Sequence, residues 1–310
     1  TTTQTKDLTM DAAITAYSDT MILSKPAGDM GLCYSVFEIP ASGTGELSNA
    51  PRFQAIIKGK LVDDPDEVSP IYSDNPALCF GELASNPIYG LGVTVTGLDA
   101  AKDWCDEEIA TGVVRSRVSL AITSSRKTEE WLDLLATYGD FLWYNDSSGG
   151  ITIVPDSVVA TGDYWLEETF VKDSLSIEGI ANTDTPSKVT VRWTEPETTT
   201  ANWEEMTTSQ QLPGVDTGDV PLIETTLDLR GVWREEEAIN KALTRLLRMQ
   251  NRVRVSWTAT DIGLAYNIGD VVNVQSTERG VSILVRVDAV QLISYGRYQV
   301  TGLRYDPDHY

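Results

Sequence analysis

The sequence predicts a β-rich α+β chain in which a β-α-β-β stretch interrupts longer runs of strand. Three observations predict it. Apolar residues alternate with strand period at Val189, Val191 and Trp193, and again at Val253, Val255 and Trp257. Between residues 113 and 155 an apolar stripe at helical spacing, Trp131, Leu134, Leu135 and Tyr138, sits among short strand signals. With 310 residues, 41% hydrophobic and 23% charged, the chain has the composition of globular domains and the length for two or three compact units.

Taken in order, the N-terminal region reads as strands and loops, with Met30–Ile39 and Phe53–Ile57 rich in β-formers. The acidic run Asp63-Asp64-Pro65-Asp66-Glu67 reads as a solvated loop, because it lacks the ligand spacing and central glycine of a calcium loop. A helix is expected from Asn75 and Pro76, with the proline at the first helical position, to Asn86-Pro87. Tyr89-Gly90-Leu91-Gly92 then forms a turn that sets an aromatic against the helix end. It is not a phosphate loop, since no Lys-Ser/Thr follows. The next helix is expected from an Asp99 cap through Trp104 and Ile109 to a stop at Gly112, followed by a strand over 114–120. Ser124 or Ser125 caps the striped helix, Gly139 ends it, and Phe141–Tyr144 and Ile151–Val154 form a hairpin.

Beyond the Lys188–Trp193 strand, residues 194–222 are rich in Thr, Glu, Gln, Pro and Gly and read as a long exposed loop. Arg234–Met249 is a helix with Ile239, Ala242, Leu243, Leu246 and Leu247 as its apolar face. Its glutamates lie at the N-terminus and its arginines near the C-terminus, as the helix dipole favours. Residues 253–305 are β in character, with a turn at Ile268-Gly269-Asp270, and complete a small barrel-like set.

Composition excludes several functions. The formal net charge of −22 repels nucleic-acid phosphates, and no basic stripe interleaved with aromatics is present. A lone histidine, His309, removes histidine triads and HExxH zinc sites. Cys33, Cys79 and Cys105 are odd in number and widely spaced, as expected of reduced buried thiols made in a cytosol rather than of a disulfide framework or zinc site. No apolar run reaches the roughly 18–20 residues of a membrane span. A glycosidase using two carboxylates passes these filters, as does an adhesion or carbohydrate-binding module built on the eight Trp and twelve Tyr. Most of those aromatics, however, alternate with apolar residues or lie on helix faces. The chain starts at Thr1 rather than Met, as a fragment of a longer product would.

Six stretches, in one order, resemble the hub region of lambda-type bacteriophage tail tip attachment proteins. They are IKGKLVDD with YSDNPALCFGELASNPIYGLG, LDAAKDWCDEEI, VSLAITSSRKTEEWLDLLATYGDFLWYNDSSGGITIVPD, LSIEGIANTDTPSKVTVRWTEP, REEEAINKALTRLLRMQ, and VSWTATDIGLAYNIGDVVNV. The positions that carry the likeness are Asn75, Pro76, Tyr89, Gly90, Gly92, Cys105, Asp106, Trp131, Gly139, Trp193, Pro196, Gly269 and Asp270. Pro186-Ser187-Lys188 departs from the family, which often has Arg/His-Asn there, and residues 1–49 match it only vaguely.

The resemblance implies two tube-like β-barrel domains with an inserted α/β (β-α-β-β) domain. The first barrel would start in 1–62 and be completed by return strands in 166–196, the insertion would occupy 63–165, a long loop or linker 197–232, and a helix with the second barrel 233–310. It also implies a non-enzymatic virion protein without cofactor or metal, a homotrimer forming a pseudo-sixfold ring that closes the tail tube and gates genome passage. Its partners would be the distal tail ring, the tape-measure protein C-termini and tail-tip or fibre proteins, with DNA only as transient cargo and no stable membrane insertion. The family's receptor-binding modules are absent from these residues. On this reading the acidic excess lines the channel and keeps passing DNA from adsorbing.

Overall fold

The computed structural model describes residues 61–120, 126–159, 162, 164–166, 170–171, 173–180, 185–196, 203–260 and 267–309. The strands expected before residue 61 and the caps expected at Ser124 or Ser125 lie outside these residues.

The chain first forms a two-residue antiparallel pair, β1 (Leu61–Val62) with β2 (Ile71–Tyr72). Helix α1 (Pro76–Ser85) begins as its sequence dictates: the Asn75 side chain accepts from the Ala77 amide at 2.9 Å, and Pro76 sits where no amide proton is needed. After β3 (Val95–Thr96) comes α2 (Leu98–Asp106), then a small hairpin of β4 (Glu108–Ala110) and β5 (Val113–Val114). Helix α3 (Thr128–Gly139) leads into the hairpin β6 (Phe141–Asn145) and β7 (Ile151–Pro155), and β3 adds to β7 in parallel.

Strands β8 (Tyr164–Leu166) and β9 (Ser176–Gly179) precede the long β10 (Lys188–Pro196). Strand β10 pairs antiparallel with β11 (Trp203–Gln211) and parallel with β12 (Glu224–Asp228). Helix α4 (Glu235–Met249) crosses to a sheet made by β13 (Val253–Ala259), β14 (Val271–Ser276), β15 (Val281–Ser294) and β16 (Arg297–Arg304). That sheet has six strands in the order β8-β14-β15-β16-β13-β9. The fold is thus β-rich α+β, as the sequence predicts.

Two cores hold it. One joins Phe80 of α1, Cys105 of α2, Leu132 and Tyr138 of α3, and Ile151 and Ile153 of β7 with Val189, Val191 and Trp193 of β10 and Ala238, Ala242 and Leu246 of α4. The α/β segment therefore shares a single core with the three-stranded sheet. The second core packs Val255, Trp257, Val272, Val274, Val285, Val287 and Val300 within the six-stranded sheet, with Phe170 stacked on Trp257 at 5.5 Å.

Several expectations need correction. Helix α2 starts after Gly97 in the left-handed region (φ 78°), not at an Asp99 cap, and ends at Asp106. Ile109 lies in β4 and Gly112 (φ 72°) turns the hairpin, because Glu108 pairs with Val114 instead of continuing the helix. Of the expected 114–120 strand only Val114 is laddered, together with Val113 before it; the rest carries no ladder and donates Ser116 N to Cys105 O, Val118 N to Asp74 O and Ser119 N to Gly231 O. Lys127 occupies the N-cap of α3, with no side-chain bond. The expected loop of 197–232 contains the nine-residue β11 and the five-residue β12. Its Thr/Glu/Gln alternation is that of an edge strand whose one face is wet, with Met206 turned to the core. Helix α4 buries Ala238, Lys241, Ala242 and Leu246 with Glu237, whereas Leu243 is exposed. Small side chains allow a close approach there, and charges inside are matched by charges opposite. The acidic run is only partly solvated, since Asp64 and Asp66 grip Lys102 at 2.6 and 2.5 Å.

Gly90 receives the tightest contact of the α1 turn: a Cβ there would lie 1.9 Å from the Leu83 carbonyl oxygen. Gly90→Ala is expected to cost ~2–3 kcal/mol. Gly149→Ala, at φ 83° but in open space, should cost only ~1 kcal/mol. Denaturant titration of the two variants checks the ranking.

Candidate functional site

The chain's unusual chemistry lies where the α/β segment, helix α4 and the six-stranded sheet meet. Helix α3 ends at Gly139, whose Cβ position is filled by the Phe141 ring, and the next residue, Asp140, adopts φ 50°. Aspartate is among the few side chains that tolerate that region. Its carboxylate there meets Lys241 Nζ at 2.5 Å and Arg248 at 3.6 Å, both projected from α4. Lys241 is 2% exposed and donates also to Ser116 Oγ and to the Tyr138 carbonyl, each at 2.5 Å, so all three of its protons are engaged.

Arg248 extends the chain of charges to Asp156 (2.6 Å), just past β7, and donates to its carbonyl at 2.6 Å. Arg286 of β15 approaches the same carboxylate from the other side at 3.0 Å and donates to the carbonyls of Ser157 and Pro155 at 2.8 and 3.0 Å. Two buried cations, Lys241 and Arg286, and the partly buried Arg248 thus hold two carboxylates and tie both cores together.

The electrostatics follow from burial and neighbours. Burial pushes the Asp140 carboxyl up, but the Lys241 and Arg248 charges outweigh it and hold the group below its ordinary value. For Asp156 burial wins over Arg248 and Arg286, and the group is raised. Glu237, fully buried one turn before Lys241, is pushed up to about 7 by burial, against Lys241 and the Arg117 amide that donates to it at 2.7 Å. Burial likewise raises the thiols of Cys79 to about 11 and Cys105 to about 12, so neither is a thiolate at neutral pH.

The sequence-expected positions fall into structural roles. Asn75 caps α1 and also donates to the Lys102 carbonyl at 3.1 Å, fastening α1 to α2 beside the buried Pro76. Tyr89 donates to Glu82, Gly90 N to Asn86 O at 3.0 Å, and Gly92 turns at φ 67°. Cys105 donates to the Gly139 carbonyl at 3.6 Å, and Asp106 takes Arg117 at 2.5 Å. Trp131 is half-buried under Arg126. Trp193 is buried in the first core, and Pro196 ends β10. Gly269 (φ 95°) closes on Val154, while Asp270 accepts from Asn267 N at 2.8 Å. Asn75, Cys105, Asp106 and Gly139 gather around the α1–α2–α3 junction, and Gly269 and Asp270 lie where β7 meets the six-stranded sheet.

Sequence reading missed Asp140, Asp156, Lys241, Arg248, Arg286 and Glu237. One signal was present: Glu237, Lys241 and Arg248 recur at i, i+4 and i+11 on the face that carries Ala238 and Ala242.

Beside the network opens a cleft of about 500 Å³, lined by Asp133, Thr137, Trp143, Leu227, Lys241 and Arg245 among others. Its carboxylates are engaged: Asp133 accepts from the Trp143 indole at 2.9 Å, and Asp140 and Asp156 are ion-paired. Among the described residues no group of three or more His, Cys, Asp or Glu is placed to hold a metal ion, and no helix is long and apolar enough to cross a membrane. What the arrangement can do chemically is fix charge in place.

No protein-family model and no curated protein matches the chain. Among solved structures it is similar to a 43 kDa tail protein of prophage MuSo2 from Shewanella oneidensis, at 16% identity and TM-score 0.48, over 80% of this chain and 70% of that one. It is similar to a tail protein from Neisseria meningitidis MC58 at 14% identity and TM-score 0.48, over 77% and 70%. A chain of the native gene transfer agent virion matches at 19% identity and TM-score 0.45, over 58% of this chain; the match spans 39% of that longer chain.

Lys241→Met leaves Asp140 buried without its closest cation and is expected to cost ~3–5 kcal/mol. Adding Asp140→Asn, which retains the left-handed turn, should recover ~1–3 kcal/mol of that loss. Chemical denaturation of the two variants measures it.

The pH dependence has two arms. Asp140, lowered on folding, contributes stability above its ordinary 3.8 that is lost as pH falls through the folded value. Glu237, raised from 4.5 to about 7, binds its proton more tightly when folded, so its contribution is full below 4.5 and lost as pH rises through 7. Glu237→Gln should therefore match the wild type at about pH 5 and exceed it in denaturation midpoint at about pH 8.

Proposed function

We propose that this chain is a structural component of a bacteriophage tail tip, the hub itself rather than an enzyme. In this reading three copies form a ring around the tail axis. Each contributes two tube-like β-barrel domains, one completed by strands from the two ends of the α/β insertion, so that the trimer presents pseudo-sixfold symmetry to the tube above. The ring closes the tube and gates genome passage. It is bounded by the distal tail ring, the tape-measure protein C-termini and tail-tip or fibre proteins.

The observation that carries this reading is where the six shared stretches fall in the fold. Among their signature positions, Asn75 caps a helix, Cys105 and Trp193 pack a core, Asp106 pairs a charge across elements, and Tyr89 and Asp270 hold the turns in which they sit. Residues that resemble a hub family therefore do the work of architecture, and a likeness in them is a likeness of build. The engaged carboxylates support the same reading, since a glycoside hydrolase needs one carboxyl free to donate its proton. A ring-forming task needs complementary edges rather than a convergent polar cluster.

Cryo-electron microscopy of intact virions tests the proposal. The expected result is threefold density for this chain directly below the tail tube. Its absence from the virion, or its presence only in peripheral fibres, overturns the reading. The same map checks the acidic excess: the bore should be lined mainly by Asp and Glu, and a bore of Lys and Arg would refute the role assigned to the charge.

A further inference from the structure

The turn after α1 is held more firmly than a surface loop needs. The Asn86 side chain accepts from the amides of Ile88 and Tyr89 at 2.9 and 3.4 Å and donates to Glu82 at 3.0 Å. Its carbonyl accepts from Gly90 N at 3.0 Å, and Val93 N returns to the Ala84 carbonyl at 3.1 Å. The Tyr89 hydroxyl donates to the same Glu82 carboxylate. Gly90 and Gly92 lie so close to Leu83 and Pro87 that the loop has little room to rearrange. Yet this frame presents hydrocarbon to water: Ile88 is 89%, Tyr89 46% and Leu91 37% exposed. One bare isoleucine needs no explanation, since single apolar side chains are common on surfaces. Three within four residues, fixed where turns ordinarily carry polar side chains, form a pre-organised knob.

We infer that this knob docks in an apolar socket, rimmed by Lys and Arg, on a different polypeptide of the tail. This rests on the hub reading and names the chemistry of one partner. Charge selects that occupant. From Leu83 to Leu98 no residue is charged, so the knob itself offers only hydrocarbon and backbone. The α/β segment that carries it, residues 61–156, holds seventeen acidic against five basic residues. Its acidic excess remains when Lys241, Arg248 and Arg286, which reach into it, are counted. Such a segment repels the phosphates of lipid headgroups and nucleic acid, and it repels a second copy of this chain, whose formal net charge is −22. A polypeptide with a surplus of Lys and Arg is drawn to it instead. Covering a rigid apolar anchor at the centre of a polar ring is where binding energy concentrates, and the held turn loses little freedom on docking.

Virions carrying a photo-reactive residue at position 91 test this. The expected result is a cross-link to a different virion protein, at a site surrounded by more Lys and Arg than Asp and Glu. Ile88→Asp should reduce that cross-link about tenfold or more. Leu222→Asp, the same kind of change at another exposed leucine, should leave it unchanged. Ile88 is exposed, so the purified Ile88→Asp chain should melt as the wild type does. The wild-type chain should also fail to co-sediment with vesicles of phosphatidylethanolamine and phosphatidylglycerol. A cross-link within the chain, to a second copy or to an acidic surface, no cross-link at all, a yield indifferent to Ile88→Asp, or vesicle binding that Ile88→Asp abolishes, each overturns the inference. All of these leave the hub reading standing, because virion imaging tests it separately; virions that lack the chain altogether overturn both.

Discussion

The structure depends on one buried ammonium. Lys241 lies on the inner face of α4 where three pieces of chain converge: the end of α3, the extended segment at Ser116, and the turn at Asp140. An ammonium removed from water is tolerable only when each proton has an acceptor and a counter-charge is near. Those demands fix the left-handed turn at Asp140, the register of α4 and the path of the extended segment together. Arg248 and Arg286 then carry the same constraint through Asp156 into the second sheet. Pairs of this kind add little net stability over an apolar replacement, but they penalise every arrangement in which a partner is missing. Their effect is to specify position.

This explains why the α/β segment is not an appendage. Its hydrophobic surface merges with that of β10 and α4, and its backbone is stitched to the turn after β12 by Tyr138, whose hydroxyl accepts from Gly231 N at 2.8 Å in the buried interior. The six-stranded sheet, by contrast, keeps its own valine-rich core and joins the rest through ions and backbone carbonyls. One half is held by hydrocarbon and the other by directed polar contacts.

What the sequence disclosed follows the range of the interactions. The Asn75 cap, the α3 stripe, the β6–β7 hairpin and the Gly269 turn are set by residues within a few positions of each other, and all were legible. The end of α2 was not, because Glu108 has helix propensity and only its pairing with Val114 makes it strand. Strand β11 was not, because an edge strand with one wet face has the composition of a loop until β10 lies beside it. The ion network was the least legible. A lysine on a helix reads as solvated unless its partner, about a hundred residues away, is known. The spacing of Glu237, Lys241 and Arg248 on an alanine face was the trace it left.

The ladder between β15 and β16 slips twice, between Val287 and Ala289 and between Leu292 and Ser294. The first slip falls where β14's support ends, so the distal end of the β15–β16 ribbon is re-aimed there while β16 stays paired with β13, with added right-handed twist. In evolutionary terms this makes the ribbon's length quantised. A strand alternates faces with period two, so an odd insertion between the slips turns Leu292 to the opposite side, whereas an even one lengthens the ribbon and keeps its faces. Descendants of this chain are free to vary the ribbon's reach in steps of two residues, but its outward chemistry only by substitution.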